Sequence, residues 1–294
     1  MAEDDLITRK RARHRKPKQD PQLFPEKKEE IKKLAFQALL PFMSERTRLI
    51  PNSFIRSAMF GVVRKGRREM VKDYKIVNFH GYEINYTGEL LDQNDLSVWD
   101  SLVFLAKEKK IEENLLLTMY ELSKFMGYSD NKSVRTQLWA RIKRLQNANV
   151  EIINTQKRQH FLGHLIHNAF VDKESGKSAI IFDKYISGLF VGDYTRISVD
   201  IRRELGESQL ARWLYNFFES HKTPTTNLPV ERLKELCRSV AELKKFRQSL
   251  KIALAEVERS CTKWGRVFKW DYDIISDTIA ANLEKIEKPT LPAL

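Results

Sequence analysis

The sequence predicts an α+β, helix-rich fold: tandem winged-helix (helix-turn-helix) domains behind a disordered basic N-terminal arm. Three observations carry this expectation. Residues 118–147 read as two helices joined by a short polar turn with a glycine, and alternating strand-like residues follow them. A second helix pair, again followed by a strand-like segment, lies about 100 residues later. The first 33 residues hold eleven Lys or Arg, seven Asp or Glu and three prolines, with few large apolar side chains.

The arm comes first in the chain. From Arg9 to Lys18 there are seven positive charges and no acid. Such a segment buries too little apolar surface to offset its ordering entropy, so it stays disordered. A solubilising tail and an electrostatic arm that holds phosphates both fit it. The expected organisation is a basic arm over 1–49, a first winged-helix domain over 50–198, a second over 199–288 and a tail over 289–294.

Within the first domain, residues 75–78 and 82–86 read as short strands around a His80-Gly81 turn. Asn94 or Asp95 is expected to cap a helix with the apolar face Leu96, Trp99, Leu102, Val103 and Leu105/Ala106. Asp92, Asp95 and Asp100 fit caps and a solvated face better than a metal cluster. Thr118 and Glu121 form a capping box that opens a helix burying Leu122, Phe125 and Met126, which ends at Gly127. The second helix of the pair, 132–147, has the apolar stripe Val134, Leu138, Ile142 and Leu145.

The opposite face of that helix holds Lys132, Ser133, Thr136, Trp139, Ala140 and Lys143, with Arg135, Gln137, Arg141 and Arg144 beside it. Between Lys132 and Gln159 there are seven Lys or Arg and one acid, Glu151. Small or hydroxyl side chains permit close approach to base edges, and flanking cations reach phosphates. The face therefore reads as a DNA-recognition surface. The alternating residues of 150–183 read as an antiparallel wing whose turns carry Lys157, Arg158, Lys173 and Lys177. His160, His164 and His167 lack a completing carboxylate or cysteine and read as polar strand residues, not metal ligands.

The second domain opens with an amphipathic helix over 207–221, carrying Leu210, Trp213, Leu214, Phe217 and Phe218. Pro229 starts the next helix, which buries Val230, Leu233, Leu236 and Cys237. A helix over 240–259 buries Leu243, Phe246, Leu250, Leu254 and Val257 and exposes Lys244, Lys245, Gln248 and Lys251. Residues 265–272 form a strand or small wing.

Composition narrows the function. The 294 residues are long enough for two domains and carry a net charge of +13. A basic globular chain meets nucleic acid more often than an acidic membrane surface. No stretch approaches the roughly 20 apolar residues of a membrane helix, and the N-terminus lacks a signal-peptide core. A cytoplasmic protein with reduced thiols is expected, and Cys237 and Cys261 cannot build a disulfide scaffold or a four-cysteine zinc site. Phosphate-binding glycine loops and G-x-S-x-G are absent, and His164-Leu-Ile-His167 has the wrong spacing for a rolling-circle nickase. Neither an enzyme nor a cofactor is expected.

Four blocks occur in order: IPNSFIRSAMFGV at 50–62, LLDQNDLSVWDSLVFLAK at 90–107, the helix pair at 118–146 and ESQLARWLYNFFESH at 207–221. Together they resemble the TrfA-type plasmid replication initiators over most of residues 50–275. The resemblance implies two winged-helix domains that bind direct repeats (iterons) at a plasmid origin, with the helices at 132–147 and 240–259 each entering a major groove. It also implies opening of an adjacent AT-rich segment with contact to its single strands, and plasmid copy control. Host sliding clamp, initiator and helicase proteins are the implied partners, and active monomers are in balance with less active dimers. For the clamp, Gln19, Leu23 and Phe24 are the implied contacts, although Gln19-Asp-Pro-Gln-Leu23-Phe24 departs from the common peptide at its second and third residues. A winged-helix transcriptional repressor that does not melt DNA is the alternative, and a protein-binding scaffold is a third reading.

Overall fold

The computed structural model describes residues 43–284 apart from 64–67, 80, 108–113, 157–158, 173, 184–185, 192 and 222. The chain enters through β1 (Thr47–Pro51), a one-turn helix α1 (Asn52–Ile55) and the two-residue strand β2 (Phe60–Gly61). Strands β3 (Met70–Lys75), β4 (Tyr82–Glu89) and β5 (Leu91–Asp92) lead to the long helix α2 (Gln93–Ala106). The strand expected over 75–78 stops at Lys75. Beyond it Ile76 N–H still donates to the Ile84 carbonyl at 2.8 Å, and Asn78 forms a lone bridge to Ser57.

Helix α2 begins at a capping box set earlier than Asn94 or Asp95. The Asp92 carboxylate accepts the Asn94 and Asp95 N–H groups, both at 2.9 Å, and Asp95 accepts the Asp92 N–H at 3.0 Å. β6 (Leu115–Thr118) then hands over to α3 (Met119–Phe125) through the expected box: Glu121 N–H donates to Thr118 Oγ1 at 3.1 Å and Glu121 accepts the Thr118 N–H at 2.6 Å. After Gly127, held at φ +77°, comes α4 (Lys132–Gln146). Only glycine adopts that backbone without strain, which is why the helix stops there.

The remaining elements are β7 (Asn149–Asn154), β8 (Gln159–His164), β9 (Asn168–Val171), β10 (Lys177–Ile181), a 3₁₀ turn at Ile186–Phe190, β11 (Tyr194–Ser198), α5 (Val199–Glu204) and α6 (Gln209–Glu219). They end with β12 (Thr225–Pro229), α7 (Val230–Leu236), α8 (Leu243–Lys263), β13 (Phe268–Asp273) and β14 (Thr278–Leu283). Helix α8 starts at Leu243, not Val240, whose side chain is 78% exposed.

Two stretches repeat one plan. Helix, strand, helix, helix, strand, strand occurs as α2–β6–α3–α4–β9–β10 and again as α6–β12–α7–α8–β13–β14. In each, the last strand lies in the middle of a three-stranded antiparallel sheet, in the orders β6-β10-β9 and β12-β14-β13. The first stretch carries an inserted hairpin, β7–β8, between α4 and β9. The sequence reading placed a wing directly after α4. That hairpin instead joins the sheet β3-β4-β7-β8, because Val150 and Ile152 of β7 register against Tyr86 and Ile84 of β4. The expected helix-rich fold is a mixed α/β one, with strands in five sheets among the described residues.

Both stretches lie in one compact unit and share one apolar core. β1 and β11 pair antiparallel across 143 to 151 positions, and the expected 198/199 boundary falls at the β11–α5 junction. Trp213 and Phe217 of α6 are fully buried, and Trp213 Nε1 donates to the Ser57 carbonyl at 3.3 Å. Asn216 donates to the Gln93 side-chain oxygen at 3.1 Å, and Val62 N–H to the Cys237 carbonyl at 2.7 Å. Arg238, half-buried, donates to the carbonyls of Ala58 and Leu91. Among the described residues no helix is long and apolar enough to cross a membrane.

Candidate nucleic-acid interface

Helix α4 owes its placement to its two faces. Leu138, Ile142 and Leu145 are at most 1% exposed and pack on α2 and α3, and Val134 is half-buried beside them. The Asn131 side chain caps the N-terminus by accepting the Val134 N–H at 2.9 Å. The other face is then turned to solvent: Lys132, Ser133, Arg135, Thr136, Gln137, Ala140 and Lys143 are all exposed, and the helix contains no acid. Thr136 Oγ1 donates to the Lys132 carbonyl at 2.9 Å and Gln137 Nε2 to Ser133 Oγ at 3.3 Å, which leaves their oxygens free to accept. Arg135 meets Asp130 at 3.1 Å in an exposed pair of the kind that contributes about 0–1 kcal/mol and yields readily to a phosphate.

Arg144, expected at this face, faces inward. It meets Asp95 at 3.3 Å and Glu89 at 3.1 Å, with its side chain only 14% exposed. Arg141 likewise reaches Asp92 and Asp95, both at 3.3 Å, and Arg68 donates to Asp95 at 2.8 Å and to Asp92. The reason lies in α2. Asp92 and Asp95 are buried there, not solvated as the sequence suggested. Buried carboxylates need cations or hydrogen bonds, so three guanidiniums close over the cap. Burial alone would raise the Asp92 carboxyl, but Arg68 and Arg141 hold it below its ordinary value. Burial and then the neighbouring Asp92 charge raise that of Asp95. The third aspartate, Asp100, is buried against Arg202 at 2.7 Å.

In the second stretch, Lys244, Lys245, Gln248 and Lys251 are all exposed on the N-terminal half of α8. Lys245 lies 3.7 Å from Glu242 and Lys251 Nζ sits 4.3 Å from the Tyr272 ring centre. The sequence reading missed Arg247, which stands on the same row and grips Asp277 beside the β13–β14 turn with bonds of 2.7 and 2.9 Å. Its spacing from Lys244 and Lys251 was the available signal. Asp277 in turn accepts from the Tyr272 hydroxyl at 2.7 Å, so helix and hairpin are tied together.

The β9–β10 turn presents exposed Lys177, with Asp172 accepting the Glu174 N–H at 2.9 Å to shape the loop. His160 meets Glu151 at 3.0 Å and His164 Nδ1 lies 3.1 Å from the Gln146 carbonyl. Lys157, Arg158 and Lys173, and Gln19, Leu23 and Phe24 in the arm, lie outside the described residues.

Comparison with known proteins gives this architecture a family. The chain is 30% identical over 222 residues to the plasmid replication initiator protein TrfA of Escherichia coli. The alignment covers 72% of this chain and 57% of that protein, so the chain spans little more than half of its relative's length. Among solved structures, domains 2 and 3 of RctB superimpose with a TM-score of 0.56 at 12% identity, over 80% of this chain and 97% of that one, a likeness of fold alone. The model of the TrfA protein family matches residues 9–267, and on that match the chain belongs to the TrfA family.

Proposed function

We propose that this chain is a plasmid replication initiator that works by binding rather than catalysis, with two winged-helix units that read directly repeated origin sites. The observation that carries the proposal is the repeated plan, with its middle last strand, in a TrfA-family chain whose third helix in each copy exposes a cationic row. In this reading α4 and α8 are the recognition helices. Ser133, Thr136, Gln137 and Ala140 are short or polar enough to approach base edges, while Lys132, Arg135 and Lys143 bond phosphates. Lys244, Lys245, Gln248 and Lys251 do the same on the second half of a repeat. The buried junction through Trp213, Asn216 and Arg238 holds the two helices at one spacing, which a repeat of fixed length requires.

The name of the E. coli relative supports the initiator reading. With it come opening of an AT-rich segment, monomer–dimer balance, and recruitment of host clamp, initiator and helicase proteins, with Gln19, Leu23 and Phe24 as the clamp contact. Footprinting on DNA from the chain's own replicon tests the proposal, with permanganate as the probe of melting. Evenly spaced protected repeats beside a reactive AT-rich segment are expected. Protection of a single promoter-like site without melting would replace the initiator with a repressor.

A further inference from the structure

Behind the α3–α4 turn lies a half-open cavity of about 510 Å³. Its walls come from β1, from α2, from the end of α3 and the turn itself, and from α5 and α6. Four arginines line it, Arg48, Arg202, Arg203 and Arg212, against two acids, Asp100 and Glu207. The neighbouring cluster at the α2 cap is different: there Arg68, Arg141 and Arg144 face Asp92, Asp95 and Glu89, and charge balances.

The arginines of the cavity are unequally satisfied. Arg202 spends its guanidinium on Asp100 at 2.7 Å and Ser97 Oγ at 2.8 Å. Arg48 donates to the carbonyls of Glu45 and Thr47, both at 3.0 Å, with Asp100 4.0 Å away. Arg203, on the rim, donates to the Phe125 carbonyl at 3.0 Å. Arg212 is the exception. It is 9% exposed, its only neutral partner among the described residues is Asn94 Oδ1 at 2.8 Å, and its buried Nε has no partner there. No carboxylate lies within ion-pair distance of it among the described residues, and burial and then the Arg202 charge lower its pKa to about 10. An unpaired guanidinium is costly to bury unless an anion completes it.

We propose that this cavity is a binding site for a small phosphate-bearing molecule, with Arg212 and Arg203 as the anion contacts. The guanidinium fork matches phosphate oxygens in pairs, and the volume lies within the roughly 300–1,000 Å³ of small-molecule pockets. Phenyl and thioether groups of Phe125 and Met126 line the same cavity and suit an apolar ring on the ligand. That wall belongs to the α3–α4 turn, so the bound molecule stiffens the approach to α4. The site is separate from the exposed row of that helix and does not depend on what the row binds.

The test is calorimetry and thermal unfolding of the full chain at low chloride with inorganic phosphate, pyrophosphate and ATP, each to about 10 mM. A saturable heat and a rise in Tm with at least one of them are expected. Binding of ATP but not of the inorganic ions identifies a nucleotide-type ligand, and the converse a free phosphate ion. Arg212→Met should fold with an unchanged or higher Tm, because it removes an unpaired buried charge, yet bind at least about tenfold more weakly. Arg203→Ala, on the rim, should weaken binding without touching the fold. Lys143→Ala should leave it intact. No heat with any of the three compounds overturns the proposal. So does an equal Tm rise in wild type and Arg212→Met, the mark of a generic salt effect, or loss of binding in Lys143→Ala, which would place the anion on the α4 face.

Discussion

Asp95 sits where α2 begins, fully buried, with Arg68, Arg141 and Arg144 all within 3.3 Å. Removing its charge leaves those guanidiniums, themselves mostly shielded from water, short of a counter-ion. Asp95→Asn should therefore destabilise the fold by about 3–5 kcal/mol in urea titration, the cost of breaking a buried ion pair. The change in Lys143→Ala is of another kind. That lysine is exposed, so stability should hold while affinity for all DNA sequences falls alike. Thr136→Ala should relax preference at particular bases, by roughly 1–3 kcal/mol, as measured by competition with mismatched sites. A further residue-scale effect concerns pH. Burial lowers the His221 pKa to about 4, its Nδ1 lying 2.7 Å from the Phe217 carbonyl. The folded ring stays neutral while the unfolded one takes up a proton near 6.5, so stability is complete above that pH and falls as pH drops toward 4. The urea midpoint should decline between pH 7.5 and 5, and His221→Phe should flatten the decline.

At the scale of elements, the helix pair was legible in the sequence because its signals are local. The Thr118–Glu121 box and the Leu138–Ile142–Leu145 stripe lie within a few residues of their partners, and the structure has both. Gly127→Ala should cost about 1 kcal/mol, because alanine resists φ +77°, and should lower Tm with α4 still helical by circular dichroism. The wing was misplaced for the opposite reason. The β7–β8 hairpin alternates like any wing, and only its pairing with β4, more than 60 residues earlier, assigns it to another sheet. The aspartates of α2 read as caps and a solvated face because their partners, Arg141, Arg144 and Arg202, lie 46 to 102 positions away from them in sequence. Arg144 was accordingly placed on the wrong side of its helix.

At the scale of the whole molecule, the repeat is visible as an order of elements and invisible as identity. What the sequence did not show is how firmly the copies are joined. β2 passes so close to the end of α7 that a Cβ at Gly61 would lie 2.9 Å from the Cys237 carbonyl oxygen. Gly61→Ala should destabilise by about 1–3 kcal/mol through overpacking, and it should lengthen or blur the DNA footprint if the spacing of α4 and α8 depends on that contact. The joint action of two cationic helices also predicts a steep salt dependence. Six to ten phosphate contacts would lower affinity by about 10³–10⁵ between 50 and 200 mM salt.

The central claim is that α4 and α8 together read one repeated DNA site. The most direct measurement is a footprint on replicon DNA for wild type, Lys132→Ala/Lys143→Ala and Lys244→Ala/Lys251→Ala, compared at one salt concentration. Evenly spaced repeats are expected, each pair of substitutions erasing protection of a different half of every repeat. No preference for the replicon's repeats over random DNA, or loss of both halves with either pair alone at saturating protein, would contradict it.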